Sequence, residues 1–379
     1  MNEIDGSTLE GGGQILRNGV ALAALLQQPV TISNIRKGRS PPGLKAQHAA
    51  GINLVGQISE GSNLVGARRD SQTIVFTPGE IKTGRYSADP GTAGAITLLL
   101  QIALPCLLFA TSPSSESSTL ILRGGTNATQ APQIDYTEQV FLPFIRKHQQ
   151  IDAKLDIRTR GYYPKGGGQV SITIRPTNTP LPPIIALERG EITSIRGRAY
   201  VAGLPTKLAK ECRDAAVARL LKEGFDPEII NVEYLRELPS NAFGSGSGIV
   251  LWAETETGCI LGASAVGKKG MDFDEVGREA AEELAQNLKQ GGCVDEYLQD
   301  QWIIFGVLAE GKSRVRCGLP LTLHTRTAMW LAAKLTGAKF EQYPDEDGKT
   351  VIVECQGIGH VPGSNVSNRN DGPSGPGET

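Results

Sequence analysis

Apolar residues recur at helical spacing over 11–26 (Ile15, Leu16, Val20, Ala21, Leu22, Leu25, Leu26), which predicts a largely buried helix. A β-branched run over 30–35 predicts a short strand. A second helix is expected over about 43–57, after Pro41-Pro42-Gly43, with strands near 62–66 and 72–77. The same αβαββ order returns with a long apolar helix over 92–110, a strand at 120–122, a helix over 132–147 and strands near 153–158 and 169–175. It returns again from 294: a helix to 309, a strand at 313–317, a helix over 325–336, and strands at 338–343 and 350–354. Strands alternating with helices of this length build two-layer α/β units. Three structural repeats of one unit are expected. Gly11-Gly12-Gly13-Gln14-Ile15, echoed by Gly166-Gly167-Gly168-Gln169-Val170, supports repetition weakly, because short glycine-rich matches arise by chance.

One segment breaks the pattern. After a proline-rich linker at 176–183 come a strand near 192–200, a helix over 206–222 stopped by Gly224, strands near 229–234, 247–254 and 258–265, and an amphipathic helix over 273–289. This is expected to be an inserted βαβββα domain. The boundaries read 1–185 for the first two repeats, 186–291 for the insertion and 292–360 for the third repeat. Residues 361–379 are Gly, Ser, Asn and Pro with almost no apolar side chain, and predict a disordered tail.

Composition adds bounds. At 379 residues, 39% hydrophobic and 21% charged, the chain can bury a sizeable core and reads as soluble. No apolar run nears the roughly 20 residues that span a bilayer, and the N-terminus lacks the basic and apolar regions of a signal peptide. An intracellular protein is expected, with nucleus and cytoplasm both open. The six cysteines are scattered without metal-ligand spacing and read as reduced core thiols. A net charge of −2 argues against nonspecific coating of nucleic acid. Yet 11–59 holds no acidic residue and carries Arg17, Arg36, Lys37, Arg39 and Lys45, which fits a local phosphate-binding surface as well as a solvated basic face.

Candidate chemistry centres on Thr322-Leu323-His324-Thr325. His324 stands where a loop enters a helix, between two capping-competent hydroxyls. Backbone N–H groups and the helix dipole favour a phosphate there, and an imidazole can attack phosphorus. A loop histidine that merely caps is the plainer alternative. Glu10-Gly11-Gly12-Gly13 opens a helix with bare backbone and Arg17 one to two turns on, without being a P-loop. Tyr297, Asp300 and Gln301 share one face of an otherwise apolar helix, and Gln101 interrupts another apolar run. Such polar groups need partners: a nucleotide, a metal held through Asp300, or each other. The segment 160–168 (Arg-Gly-Tyr-Tyr-Pro-Lys-Gly-Gly-Gly) could stack and contact a nucleic acid end, or be a hairpin loop. His148 and His360 read as surface and tail residues. No Ser-His-Asp order or HExxH pattern supports a hydrolase triad or zinc centre.

Together these stretches, with 36–44 (Arg-Lys-Gly-Arg-Ser-Pro-Pro-Gly-Leu), Gly124-Gly125-Thr126-Asn127, 131–136, 294–301 and 354–359, resemble the RNA 3'-terminal phosphate cyclases from Glu3 to about Gly359. The resemblance implies three βαβαββ units like the C-terminal domain of translation initiation factor 3, plus a smaller inserted domain. It implies an ATP-dependent reaction through a covalent histidine–AMP, with ATP as cosubstrate, Mg²⁺ or Mn²⁺ as metal, and RNA bearing a 3'-phosphate as partner. No membrane and no obligate protein partner are implied. Carried over by motif, His324 is the nucleophile. Gln101, Pro132, Tyr297, Asp300 and Gln301 contact the nucleotide, Glu10 lies near the metal, and Arg17, Arg36, Arg39 and Gln47 face phosphates. A branch without the histidine works in ribosome biogenesis, and enolpyruvyl transferases share the repeated units without needing a histidine nucleophile. His324 within an intact Thr-Leu-His-Thr favours the cyclases.

Overall fold

The computed structural model describes residues 1–111, 116–346 and 348–363. The tail expected to be disordered lies, from 364 on, outside the described residues. The helices are α1 (Gly13–Leu26), α2 (Ala46–Ile58), α3 (Ile96–Leu108), α4 (Ile134–Tyr136), α5 (Leu142–Gln149), α6 (Thr206–Lys222), α7 (Phe273–Gln290), α8 (Leu298–Leu308) and α9 (Leu323–Thr336). The fold is mixed α/β, with helices packed on several sheets.

In the first sheet Asn2–Asp5 pairs parallel with Val30–Ser33, followed by Ile74–Thr77 and Asn63–Val65, both antiparallel. In the second, Arg85–Ala88 pairs parallel with Ser118–Gly124, followed antiparallel by Gly168–Ile174 and Ala153–Gly161, with Ala242–Phe243 on the outer edge. In the third, Ile185–Ala186 pairs parallel with Glu310–Gly318, followed antiparallel by Thr350–Ile358 and Lys339–Pro344. The fourth sheet runs Ile230–Arg236, Ile192–Ala202, Gly246–Thr255, Ile260–Val266, with α6 and α7 packed against it.

The parallel strands that open the first three sheets escape the sequence pattern, because two to four residues carry too little periodicity. Longer strands show it clearly: Ser118–Gly124 and Gly168–Ile174 each bury alternate side chains. Helix ends also shift. The helix expected over 92–110 is Ile96–Leu108, that over 132–147 is broken by a π-helical turn at Thr137–Phe141, and that from 294 starts at Leu298.

Helix α1 is buried over most of its circumference and packs on α2, α3 and α9. Gly19 lets α1 lie close on the first sheet, since a Cβ there would sit 3.2 Å from Ile32 Cδ1. Trp302 on α8 is fully buried. His360, expected on the tail, is buried instead, its ring edge-on to Phe109 at 4.7 Å. All six cysteines are free and buried. Among the described residues no helix is long and apolar enough to cross a membrane.

The fourth sheet joins the rest through buried polar contacts. Asp295 accepts hydrogen bonds from Tyr136 Oη at 2.7 Å, Gly262 N at 2.7 Å, and Tyr297 N and Leu298 N at 2.9 Å. Gln133 donates to the carbonyls of Ile249 and Ala265, each at 3.2 Å. These bonds fix how α8, which forms one wall of the site, meets its neighbours.

Candidate active site

Three helix N-termini supply the site: those of α1, α8 and α9. Neither α1 nor α9 carries an acidic residue in its first turn, and the carboxylate nearest these positive dipole ends is Glu10, which lies against the start of α1. Thr322 is the N-cap of α9. Its hydroxyl accepts from Thr325 N at 3.0 Å, and its backbone N–H donates to Gln299 Oε1 on α8 at 3.1 Å. The helix therefore begins at Leu323, two residues earlier than its pattern suggested, and His324 lies inside its first turn.

The glycines of the first loop have a direct role. Gly12 caps α1, and a Cβ there would lie 2.1 Å from Glu10 Oε1. A Cβ on Gly13 would lie 2.5 Å from His48 Nε2. Only bare backbone lets a carboxylate and an imidazole close over this helix end. Glu10 N donates to Thr327 Oγ1 at 3.2 Å, tying the loop to α9. Arg39 pairs with Glu10 Oε1 at 2.8 Å, while Glu10 Oε2 is buried without a hydrogen-bond partner. His48 accepts from Lys45 N at 3.1 Å through Nδ1. Burial, followed by Arg17, Arg36 and Lys45, pushes its pKa down to about 3, so it is neutral.

Between these elements lies a cleft of about 240 Å³. Its lining includes Arg17, Gln101, Pro132, Tyr297, Asp300, Gln301 and His324. Seven residues singled out in the sequence, from four helices and one loop, thus meet in one place. His324 is solvent-exposed, yet the protein crowding it, with Arg17 and Arg39, holds its pKa below the ordinary 6.5 against the opposing pull of Glu10. Burial raises Asp300 to about 7, with Arg17 opposing.

Gln14 links the two. Its amide nitrogen donates to Asp300 Oδ2, so its Oε1 faces His324 Nδ1 at 3.2 Å. An amide oxygen only accepts, so Nδ1 carries the ring proton and Nε2 keeps its lone pair. Gln14 stood in the glycine motif but was not picked out, because only the fold reveals what its amide reaches. Gln299 and the cleft-lining Gln130 were missed for the same reason.

The remaining expectations fall elsewhere. Gln101 donates to Gln301 Oε1 at 3.1 Å, and Gln301 donates to Tyr297 O at 2.8 Å, so part of that polar face is satisfied internally. Gln47 accepts from Ala95 N at 3.1 Å and borders a small niche beside Arg17 rather than the cleft. Arg36 donates to the carbonyls of Pro41 and Gly43, each at 3.0 Å, stitching its own loop. Arg39 reaches the site through Glu10. Among the described residues no group of three His, Cys, Asp or Glu side chains is placed to hold a metal.

The described family of RNA 3'-terminal phosphate cyclases matches residues 8–342. A Drosophila melanogaster protein named RNA 3'-terminal phosphate cyclase is 40% identical over 362 residues, covering 95% of this chain and 98% of its own. A Dictyostelium discoideum protein named "Probable RNA 3'-terminal phosphate cyclase" is 40% identical over 370 residues, covering 95% and 83%. One from Pyrobaculum neutrophilum with the cyclase name is 37% identical over 357 residues, covering 94% and 99%. With the family match running through both glycine motifs and His324, the chain belongs to the RNA 3'-terminal phosphate cyclase family.

Proposed function

We propose that the protein converts an RNA 3'-terminal phosphate to a 2',3'-cyclic phosphodiester at the expense of ATP, with His324 as nucleophile. The observation that carries the reading is His324 in the first turn of α9, on the wall of a cleft shared with Arg17, its Nδ1 held by Gln14. Nε2 attacks the α-phosphorus of ATP; a P–N bond forms as the bond to pyrophosphate breaks. An oxygen of the RNA 3'-phosphate then attacks that phosphorus, and the P–N bond breaks to return the imidazole. The RNA 2'-hydroxyl finally attacks the terminal phosphorus, losing its proton as AMP leaves. The adenylate is needed because a phosphate monoester has no good leaving group.

The lowered pKa keeps His324 unprotonated at neutral pH. Arg17 and the helix N-termini stabilise the negative charge that gathers on the phosphates. Pro132, Gln101, Tyr297, Asp300 and Gln301 form the surface on which the nucleotide lies. Glu10 Oε2, buried without a partner, would help hold Mg²⁺ or Mn²⁺, which would neutralise phosphate charge. We infer the matching architecture as well: three βαβαββ units, with residues 187–291 inserted after the first strand of the third, Ile185–Ala186. The equivalent strand orders of the first three sheets support it.

The test is incubation with α-labelled ATP and Mg²⁺ beside His324→Ala, followed by denaturing electrophoresis. Wild type takes an acid-labile label that RNA with a 3'-phosphate discharges, and the variant takes none while unfolding at the same temperature. A wild type that binds ATP without taking label would instead favour a noncatalytic role in RNA processing.

A further inference from the structure

The 160–168 segment has no part in the reaction proposed above, and its two halves face opposite ways. The inner half is structural. Arg160 forks onto Asp135 at 2.6 and 2.8 Å and reaches Glu237 at 2.7 Å, while Tyr162 is buried and stacks on Tyr200 with centroids 6.0 Å apart. The outer half presents aromatic rings to water: Tyr163 is 83% exposed and Phe243 is 50% exposed. The Lys165 ammonium lies 5.8 Å from the Phe243 ring centroid.

The backbone bearing these rings is fixed. Ala242–Phe243 pairs parallel with Arg160 and Gly161. Gly167, at φ +73, lies under the Phe243 ring, where a Cβ would be 2.2 Å from Cδ1. Gly166, at φ +66, presses on the carbonyl of Thr92, where a Cβ would sit 2.6 Å away. Side chains at either glycine would lift the hairpin off its support.

One path joins this hairpin to the cleft, and a second joins it to the niche beside Arg17. Gly161 exchanges hydrogen bonds with Thr126, and the same loop continues to Gln130, Ala131 and Pro132 on the cleft wall. On the other side the 92–95 loop that supports Gly166 meets Gln47, whose neighbour His48 lies over Gly13. The rings therefore stand one loop from the cleft on one side and one loop from the niche beside Arg17 on the other.

We propose that Tyr163, Phe243 and Lys165 form a stacking platform for single-stranded RNA, taking the bases just upstream of the end whose phosphate enters the cleft. This rests on the function proposed above. Exposed rings offer a face to any base, and the lysine a charge for the connecting phosphates, so recognition there is independent of sequence.

The experiment uses RNA oligonucleotides with a 3'-phosphate and 2-aminopurine at one of the few positions before the end, read by fluorescence quenching. A terminal dinucleotide serves as the short control. Wild type quenches the probe. Tyr163→Ala with Phe243→Ala loses the quenching and binds the long RNA about tenfold more weakly per ring removed, binds the dinucleotide as wild type does, and takes label from ATP normally. Tyr163→Trp restores quenching. Unchanged quenching in the double variant overturns the platform, as does equal weakening toward long RNA and dinucleotide. Absence of label on wild type refutes the histidine–AMP reading alone, because quenching is measured without ATP.

Discussion

Gln14 shows how one amide can set the chemistry of another side chain. Asp300 accepts from its nitrogen, which turns its oxygen toward His324 Nδ1. Free imidazole divides between two tautomers, and only one leaves Nε2 with its lone pair toward the cleft. Gln14→Ala is expected to slow label transfer from ATP about 10- to 100-fold, the usual cost of losing a partner that orients a reactive histidine. ATP binding, measured separately by equilibrium titration, should fall less than label transfer, since Gln14 lies behind the cleft at His324, in the adjoining pocket beside Asp300. A comparable loss of ATP affinity would show instead that Gln14 shapes the nucleotide pocket.

At the scale of elements, the site depends on where helices begin. The Thr322 hydroxyl caps α9, and Gln299 on α8 accepts both from Thr322 N and from Thr325 Oγ1 at 3.1 Å. One cap and one glutamine thus hold two helix N-termini together beside His324. Thr322→Ala removes the cap acceptor and is expected to lower stability by about 1 kcal/mol, read as a shift of the urea midpoint with unchanged slope. Thr322→Ser keeps the hydroxyl and should restore most of it. The apolar spacing of α9 was legible from the sequence, but its start was not. The first turn is defined by a side-chain hydrogen bond, and His324 and Leu323 are both exposed, so no burial pattern marks them.

Across the whole molecule, the second sheet meets the fourth through Asp135, buried and held by Arg160. Burial alone would raise its carboxyl, and the Arg160 guanidinium, with Arg198 and Asn127, more than offsets this, leaving the pKa below the ordinary 3.8. A carboxyl lowered in the folded state adds stability that is present above its unfolded value and lost as pH falls through the folded one. Asp135→Asn is therefore expected to lose about 2 kcal/mol at pH 7, because the buried Arg160 keeps Glu237 but loses its charged fork onto Asp135. The gap to wild type should narrow as pH drops below 3.8. A gap that stays constant across that range would show that Asp135 contributes through packing rather than charge.

The sequence by itself determined the helix–strand alternation, the apolar faces that bury α1, α3 and α8, and the residue types able to carry phosphate chemistry. Those follow from local spacing, which repeats every two or 3.6 residues and needs no knowledge of neighbours. Tertiary structure alone decided which polar residues meet. It brought Arg17, Gln101, Pro132, Asp300 and His324 into one cleft, turned Arg36 to its own loop and Gln47 to the backbone of Ala95, and gave Arg160 to a buried ion pair. It also placed Gln14 between Asp300 and His324, 286 and 310 residues away along the chain. The physical reason is reach. A side-chain hydrogen bond acts over about 3 Å of space and carries no trace in sequence spacing, whereas burial of a helix face is written in every turn.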